Sequence, residues 1–401
     1  TTSQYWNIAG NWGGGVDPVS ANTTDIIISG TVNVGAMYPG AVSYTIKSLT
    51  FDASNDADTT FSMQSNGNAG QGSRNLTFSA NSGNATLTVE SGSSGNKTIE
   101  RYSGAATFPS QIILSSSLDV IHNGSGLLTL GKSLSVNGTY ISGAGGINKS
   151  GTGTLILSGN NTYTGATSIS AGTLKAGSTT GLSSSSAVSV AAGATLDLAG
   201  YNNTISSLST ATGTITNSGA SANLTITSVG SGAAQLFTGN MALVLNTSTA
   251  FTNANSTYSG GTYLTNGRII WSGNIGVGTP GALTNGIYGT GAFTIGNSTA
   301  SAAQLYFQGA TFNNAIVVNT ALGDGSFLGA FRIAGGGTIA GAINANLADA
   351  TFNAVSGNQT ASVTGAISGN SGVVIMTQGG TLNLTLNAAA NANTYAGNTT
   401  C

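Results

Sequence analysis

Short segments in which apolar or β-branched residues alternate with Ser, Thr or Asn recur along the whole chain, each bounded by Gly or Asn. Clear examples are residues 26–34, 85–90, 153–157, 194–198, 223–227 and 381–386. A period of two places one side of a strand in a core and the other side in solvent. The spacing, caps and charged faces of helices are absent from the sequence. The chain is therefore predicted to be all-β.

The spacing of turn residues narrows the architecture. Turn signals fall every few residues, which predicts strands of about 4–6 residues with short connections. A β-sandwich protein of 401 residues would need several domains with linkers between them, and no Pro-rich or charge-rich linker is present. We therefore predict one continuous, elongated β-solenoid over residues 1–401, a parallel β-helix of short strands with Gly and Asn at its corners.

Charged residues are too scarce for most acid–base catalysis and for charge-driven binding. The chain has 9 Lys+Arg, 11 Asp+Glu and one His, so charged residues make up 5% against about 25% in an average domain. The basic residues are scattered singly along the sequence, which argues against nucleic-acid binding. The single cysteine, Cys401, excludes an internal disulfide. We expect no cofactor and no metal site.

The few titratable side chains bear on whether the chain could be an enzyme. Glycan-cleaving β-helices need paired carboxylates or a cation site, and Asp52, Asp56 and Asp58 form the one acidic cluster of the sequence. That cluster lacks the pattern of a calcium loop and is interpreted as a solvated turn. His122 has no His, Cys or paired acid nearby and is interpreted as a surface residue. The chain is predicted not to be an enzyme, although a pair assembled from distant coils stays open.

Three segments share one motif. They are Asn160-Asn-Thr-Tyr-Thr-Gly-Ala-Thr167, Asn255-Ser-Thr-Tyr-Ser-Gly-Gly-Thr262 and Asn393-Thr-Tyr-Ala-Gly-Asn-Thr399. The first copy is the longest, over residues 149–174, and the last copy, over 393–401, is incomplete. The repeat-defining residues are Gly153, Leu155, Leu157, Gly159, Tyr163, Gly165, Thr167, Leu174, Tyr258, Gly260, Thr262, Tyr395 and Gly397. The pattern closely resembles the autotransporter-associated β-strand repeat, also called the passenger-associated transport repeat.

The first copy can be interpreted coil by coil. Leu155 and Leu157 are predicted to supply a core layer, which turns at Gly159. Tyr163 and Thr167 are predicted to form the next strand around a corner at Gly165, and Leu174 closes the coil. The resemblance implies a β-helical protein that bacteria export.

Both ends of the chain are candidate assembly surfaces. Residues 1–50 are predicted to form an N-terminal cap or the first coils, where Tyr5, Trp6 and Trp12 either cover the core or dock another molecule. Tyr395 and Cys401 mark the other end. Its unfinished repeat predicts head-to-tail assembly with copies of the same chain. The alternative is that the sequence is a fragment of a longer protein.

The expected role is extracellular. No run approaches the ~18 apolar residues of a membrane helix, and an export signal is expected to have been removed. The main prediction is a structural subunit of an extracellular fibre or surface stalk. The alternative is an adhesin, like an autotransporter passenger, that binds glycans or host surfaces through exposed aromatic residues such as Tyr102, Tyr140 and Trp271.

Overall fold

A computed structural model describes most of the chain as β-strands and turns. The described residues are 19–29, 43–63, 75–101, 110–131, 140–209, 212–230, 234–248, 255–271, 277–279, 282–285, 288–298, 302–320, 329–354, 356–386 and 393–401. They contain no helix long and apolar enough to cross a membrane. The chain divides into two compact units, unit 1 (Thr1–Ser206) and unit 2 (Ser207–Cys401).

Unit 1 is a parallel β-helix with three sheets, and successive coils add one strand to a sheet. Sheet 1A contains Asp25–Ile28, Ser48–Phe51, Ala85–Val89, Leu118–His122, Ile147–Ser150, Thr167–Ile169 and Ala187–Val190. Sheet 1B contains Thr59–Met63, Lys97–Arg101, Leu127–Leu130, Thr154–Leu157, Thr173–Ala176 and Thr195–Asp197. Sheet 1C contains Tyr44–Ile46, Leu76–Phe78, Gln111–Leu114 and Tyr140–Ser142. Unit 1 also includes the strand Asn203–Ile205.

Unit 2 has the same parallel arrangement. Sheet 2A contains Ala222–Ile226, Met241–Asn246, the first half of Thr262–Trp271, Phe293–Ile295, Ile316–Val318, Ile343–Ala345 and Ile367–Ser368. Sheet 2B contains the second half of Thr262–Trp271, then Ala303–Phe307, Phe331–Ile333, Ala350–Ala354, Val373–Thr377 and Thr399–Thr400. Sheet 2C contains Ala310–Phe312, Gly337–Ile339, Gly357–Val363 and Gly380–Leu386. Shorter pairs join Thr214–Thr216 to Leu236–Phe237 and, antiparallel, Val277–Thr279 to Ala282–Asn285; Ser207–Leu208 is a further short strand.

The alternation seen in the sequence becomes stacked columns of side chains. In sheet 1B, Leu128, Leu155, Leu174 and Leu196 are register partners on successive coils, and all four are buried. Full burial of one such side chain contributes roughly 1.5–3 kcal/mol. Columns of this kind hold the coils together, because each coil buries its apolar face only against its neighbours. The predicted all-β, parallel β-helical fold is confirmed, while one continuous solenoid over 1–401 stays a prediction.

Candidate functional site

The tyrosine of the first repeat copy begins a chain of hydroxyl groups inside unit 1. The Tyr163 side chain is fully buried, and its Oη lies 2.7 Å from Thr167 Oγ1, which lies 2.8 Å from Ser186 Oγ. Ser186 Oγ donates to the carbonyl of Gly165 at 2.8 Å. Since each hydroxyl has one proton, Tyr163 donates to Thr167 and Thr167 donates to Ser186. Burial raises the pKa of Tyr163, so it stays a neutral donor.

The tyrosine and threonine are joined in the same way in the other two copies. Tyr258 Oη is 2.5 Å from Thr262 Oγ1, and Tyr395 Oη is 2.7 Å from Thr399 Oγ1. Tyr258 is fully buried, whereas the Tyr395 pair is exposed. The motif therefore encodes one local contact, which fastens the segment before a strand to the start of that strand.

The residue two positions before each tyrosine bonds to the preceding coil. Asn161 Oδ1 accepts a hydrogen bond from the Ile141 backbone N–H at 2.8 Å, and Asn393 Oδ1 accepts one from Ile367 at 3.0 Å. In the second copy Ser256 Oγ accepts from the Phe237 N–H at 3.2 Å. A side-chain acceptor at this position satisfies a backbone donor that no strand partner reaches.

The preceding coil carries its own signal, which the sequence interpretation missed. Each of the partner residues is followed two positions later by a glycine with a positive φ: Gly143 at 105°, Gly239 at 83° and Gly369 at 116°. This backbone region favours glycine. The repeat unit therefore covers two coils, with Ile-Ser-Gly or Phe-Thr-Gly on the first and Asn/Ser-x-Tyr-x-Gly-x-Thr on the second.

Other repeat-defining positions of the first copy serve packing. Leu155, Leu157 and Leu174 are completely buried. A Cβ on Gly165 would lie 2.3 Å from the backbone nitrogen of Gly146, so only glycine allows this close approach of two coils. The predicted strand between Tyr163 and Thr167 is not formed, because the strand begins at Thr167 and the backbone before it is tied by single hydrogen bonds to the coil below.

Gly159, Gly260 and Gly397 lie where coils approach each other. Gly159 is buried, and its carbonyl accepts a hydrogen bond from Ser178 Oγ at 2.8 Å. A Cβ on Gly260 would lie 2.6 Å from the carbonyl oxygen of Met241, and one on Gly397 would lie 2.4 Å from the backbone nitrogen of Gly372.

A lysine interrupts an aliphatic column of sheet 1A. Lys149 lies between Val120 and Ile169 in the register and is fully buried. Its Nζ donates to the carbonyls of Ser150 at 2.7 Å, Gly151 at 2.8 Å and Ala171 at 3.2 Å. Burial lowers the pKa of Lys149 to about 8, so the ammonium group is charged at neutral pH and uses its three protons at the corner between sheets 1A and 1B.

Two further titratable groups are buried at the same corner. Lys97 Nζ donates to the carbonyls of Asn55, Ala57 and Gly95 at 2.8–3.0 Å. His122 Nε2 donates to the Gly126 carbonyl at 2.9 Å, and its Nδ1 has no hydrogen-bond partner. The interpretation of His122 as a surface residue is wrong, because its ring packs over Gly153, where an added Cβ would lie 2.6 Å from the ring.

Burial is the main cause of the pKa shifts at this corner. Burial lowers the pKa of His122, and the charges of Lys149 and Lys97 lower it further. Burial also lowers the pKa of Lys97, against the opposing effect of Asp58 and Asp56. Within the described residues, no three His, Cys, Asp or Glu side chains lie together as a metal site would require.

The acidic cluster is a hydrogen-bonded turn. Hydrogen bonds from Ser29 and Ser54 lower the pKa of Asp52, and Asn55 within the same turn is buried. Carboxylates with such partners are occupied by structural contacts.

The predicted assembly and binding residues are only partly described. Tyr5, Trp6, Trp12 and Tyr102 lie outside the described residues, and for Trp271 only its place at the end of a strand is described. Cys401 is exposed, next to the strand Thr399–Thr400, which pairs with Val373–Thr377. Tyr140 is not an exposed aromatic residue, because it is half-buried and its Oη accepts a hydrogen bond from Gln111 Nε2 at 2.6 Å.

Comparisons with known proteins agree with the repeat. The passenger-associated-transport-repeat family matches residues 147–176. The chain is 48% identical over 118 residues to the adhesin BmaC autotransporter of Brucella suis biovar 1 (strain 1330). This match covers 29% of the chain but 3% of that adhesin, so the chain spans a small part of its relative's length. No solved structure matches the chain.

The match to residues 147–176 coincides with the segment in which the leucine columns, the buried lysine and the tyrosine–threonine contact occur together. The resemblance stated from the sequence is confirmed. The chain carries a passenger-associated transport repeat and resembles bacterial exported proteins that contain such repeats.

Proposed function

We propose that this chain is part of the surface-exposed passenger of an autotransporter-type adhesin. The observation that carries the proposal is the similarity to an adhesin autotransporter, together with the match to the transport repeat at residues 147–176. The fold supports it, because a parallel β-helix holds its outward side chains on a rigid lattice with strands about 4.8 Å apart. Export to the cell surface is part of this proposal.

The proposed role is binding without catalysis. The buried lysines of unit 1, Lys97 and Lys149, are committed to backbone carbonyls. Incubation of the chain with a panel of polysaccharides, followed by assay of new reducing ends, is expected to show no turnover. Turnover that is lost on replacing a single Asp or Glu would contradict the non-catalytic role.

Adhesion is tested directly with beads coated with the folded chain. We expect these beads to attach to cultured animal cells more than beads coated with the heat-unfolded chain. A second comparison uses Cys401→Ser, which leaves the fold and the expected attachment unchanged because this cysteine is exposed. Equal attachment of folded and unfolded preparations would overturn the proposal.

Assembly into a fibre, the main prediction from the sequence, has no support from the comparisons and stays a prediction. Electron microscopy of the concentrated chain tests it, since end-to-end assembly predicts filaments many chains long. Single particles of uniform length at all concentrations would rule it out.

A further inference from the structure

The outer face of sheet 2B carries the basic residues of unit 2. Residues 207–401 contain two basic side chains, Arg268 and Arg332, and both guanidinium groups lie against the ring of Tyr306. The distances from the guanidinium carbon to the ring centroid are 5.7 Å for Arg268 and 4.9 Å for Arg332. In a chain with so little charge, two cations on one aromatic ring make a localised positive surface.

The register places these side chains together on the outside of the sheet. Tyr306 pairs with Ile270 on one side and with Arg332 on the other, and Arg332 pairs with Asn353. The alternate residues of the same strands, such as Leu305 and Phe331, fill the interior. Ile270 is exposed, and Tyr306 and Arg332 are half-buried. An apolar, an aromatic and a cationic group therefore lie side by side on three adjacent strands.

Several polar atoms of this face have no hydrogen-bond partner. They are Gln304 Oε1, Arg332 Nε and Asn353 Oδ1, and the side chains of Gln304 and Asn353 are buried. An unsatisfied buried polar atom costs about 1–3 kcal/mol. The unpaired N–H donor belongs to Arg332 itself, which forms no ion pair among the described residues. The Asn353 acceptor lies on the strand next to Arg332, and the Gln304 acceptor lies two residues before Tyr306 on the strand at its other side.

We propose that this face binds an acidic polysaccharide, with the carboxylate of a uronate sugar on Arg332 and neighbouring sugar hydroxyl groups donating to Asn353 and Gln304. A uronate supplies both the negative acceptor and the hydroxyl donors that the unpaired atoms need, whereas a sulfate or phosphate group supplies acceptors alone. The exposed Ile270 accepts the apolar face of a sugar ring. Rotation of the long Arg332 side chain gives the ligand access to the covered amides.

This inference deepens the proposed adhesin function by naming the class of ligand, and it rests on that function. The adhesin function and the polysaccharide site can be contradicted by different results. Loss of cell attachment with retained polysaccharide binding would contradict the adhesin role alone. If a variant that no longer binds the polysaccharide still attaches to cells as well as the unchanged chain, this face is not responsible for adhesion.

Binding is measured by calorimetry with the whole chain and polygalacturonate. We expect Arg332→Gln to weaken binding about tenfold, the effect of losing one hydrogen-bonded charge. The matched control is Lys47→Gln, because Lys47 is an exposed cation of unit 1, 3.8 Å from Asp25. The control is expected to bind as the unchanged chain does. An equal loss in both variants, or no loss in Arg332→Gln, would overturn the proposal.

A second variant separates binding from folding. Asn353→Leu removes an amide whose acceptor has no partner, so its melting temperature is expected to stay the same or to rise. Its affinity for polygalacturonate is nevertheless expected to fall about fivefold. Unchanged affinity would contradict a role for this amide in the site.

The ligand class is tested with three further polymers. Dextran, which is neutral, is expected not to bind, and binding equal to that of polygalacturonate would overturn the role of Arg332. Dextran sulfate tests sulfate groups on a polymer without uronates, and polyglutamate tests an acidic peptide. Tighter binding of either polymer than of polygalacturonate would overturn the uronate assignment.

Discussion

The two units fill the interior of a β-helix in different ways. In unit 1, a corner between two sheets holds Lys97, His122 and Lys149, whose side chains satisfy backbone carbonyls. In unit 2, the rings of Phe331 and Phe352 stack at 4.7 Å with planes 12° apart, and Phe307 continues the stack at 6.4 Å. Titratable side chains therefore satisfy turn carbonyls at this corner of unit 1, while stacked aromatic rings fill the interior beside sheet 2B of unit 2. The difference predicts different responses to substitution and to pH.

The largest effect is expected from opening the aromatic stack. Phe331→Ala removes the central ring of three, and a buried phenylalanine truncated to alanine costs about 3–5 kcal/mol. Hydrogen exchange is expected to accelerate in sheet 2B and to stay unchanged in sheet 1A. The conservative control Phe331→Leu is expected to cost less than half as much. Equal costs for Ala and Leu would show that the ring stack is not a source of stability.

Removal of the buried ammonium group is expected to cause the second-largest loss of stability. Lys149→Met keeps an unbranched apolar stem in the column between Val120 and Ile169 but leaves three carbonyls without their donor. We expect a loss of about 2 kcal/mol in the free energy of unfolding. The variant no longer buries an ammonium group, and the desolvation energy saved in this way offsets part of the cost of the unsatisfied carbonyls. Chemical denaturation measures this loss, with Lys47→Met as the control, because Lys47 and its partner Asp25 are both exposed. A more stable Lys149→Met variant would show that the lysine is not retained for stability.

The tyrosine contacts of the repeat are expected to have smaller effects. Tyr163→Phe removes the first donor of the hydroxyl chain in a buried site, and a loss of about 1 kcal/mol is expected. Tyr395→Phe removes the same contact at an exposed position, so its effect is expected to be within about 0.5 kcal/mol. Thermal unfolding of both variants checks the ranking, and equal effects would contradict the importance of burial.

The pH response separates the two units. The folded pKa of His122 is lowered below 6.5, so its contribution to stability is present above pH 6.5 and is lost as the pH falls through the folded pKa. Residues 207–401 contain neither His nor Lys. Hydrogen exchange, corrected for its intrinsic pH dependence, is expected to show that unit 1 loses stability as the pH falls below 6.5 toward the lowered pKa of His122, while unit 2 does not over the same range.

His122→Asn is the control for this titration. It is expected to remove the difference between the two units in the same pH range. A pH response of unit 1 that persists in this variant would assign the effect to other groups.

The sequence predicted the parts of the fold that depend on alternation and on glycine. The leucines of the first repeat copy were expected in the core, and Leu155 and Leu174 are register partners there. Lys149 and His122 were not recognised as interior residues, because an isolated charged residue in a sequence gives no sign of the carbonyl groups that a corner will bring around it. The Arg332 surface was also missed, since the register that joins residues 268, 306 and 332 depends on how many residues each coil contains.

The register of the coils is tested most directly by a disulfide between neighbouring strands. Thr129 and Ile156 are partners in sheet 1B, so Thr129→Cys with Ile156→Cys, in a Cys401→Ser background, places two cysteines at the spacing of adjacent strands. Mild oxidation is expected to link them completely within one chain. Thr129→Cys with Ser158→Cys, two residues out of register, is expected to stay reduced. Equal linkage of both pairs, or linkage of the second alone, would contradict the parallel β-helix described for unit 1.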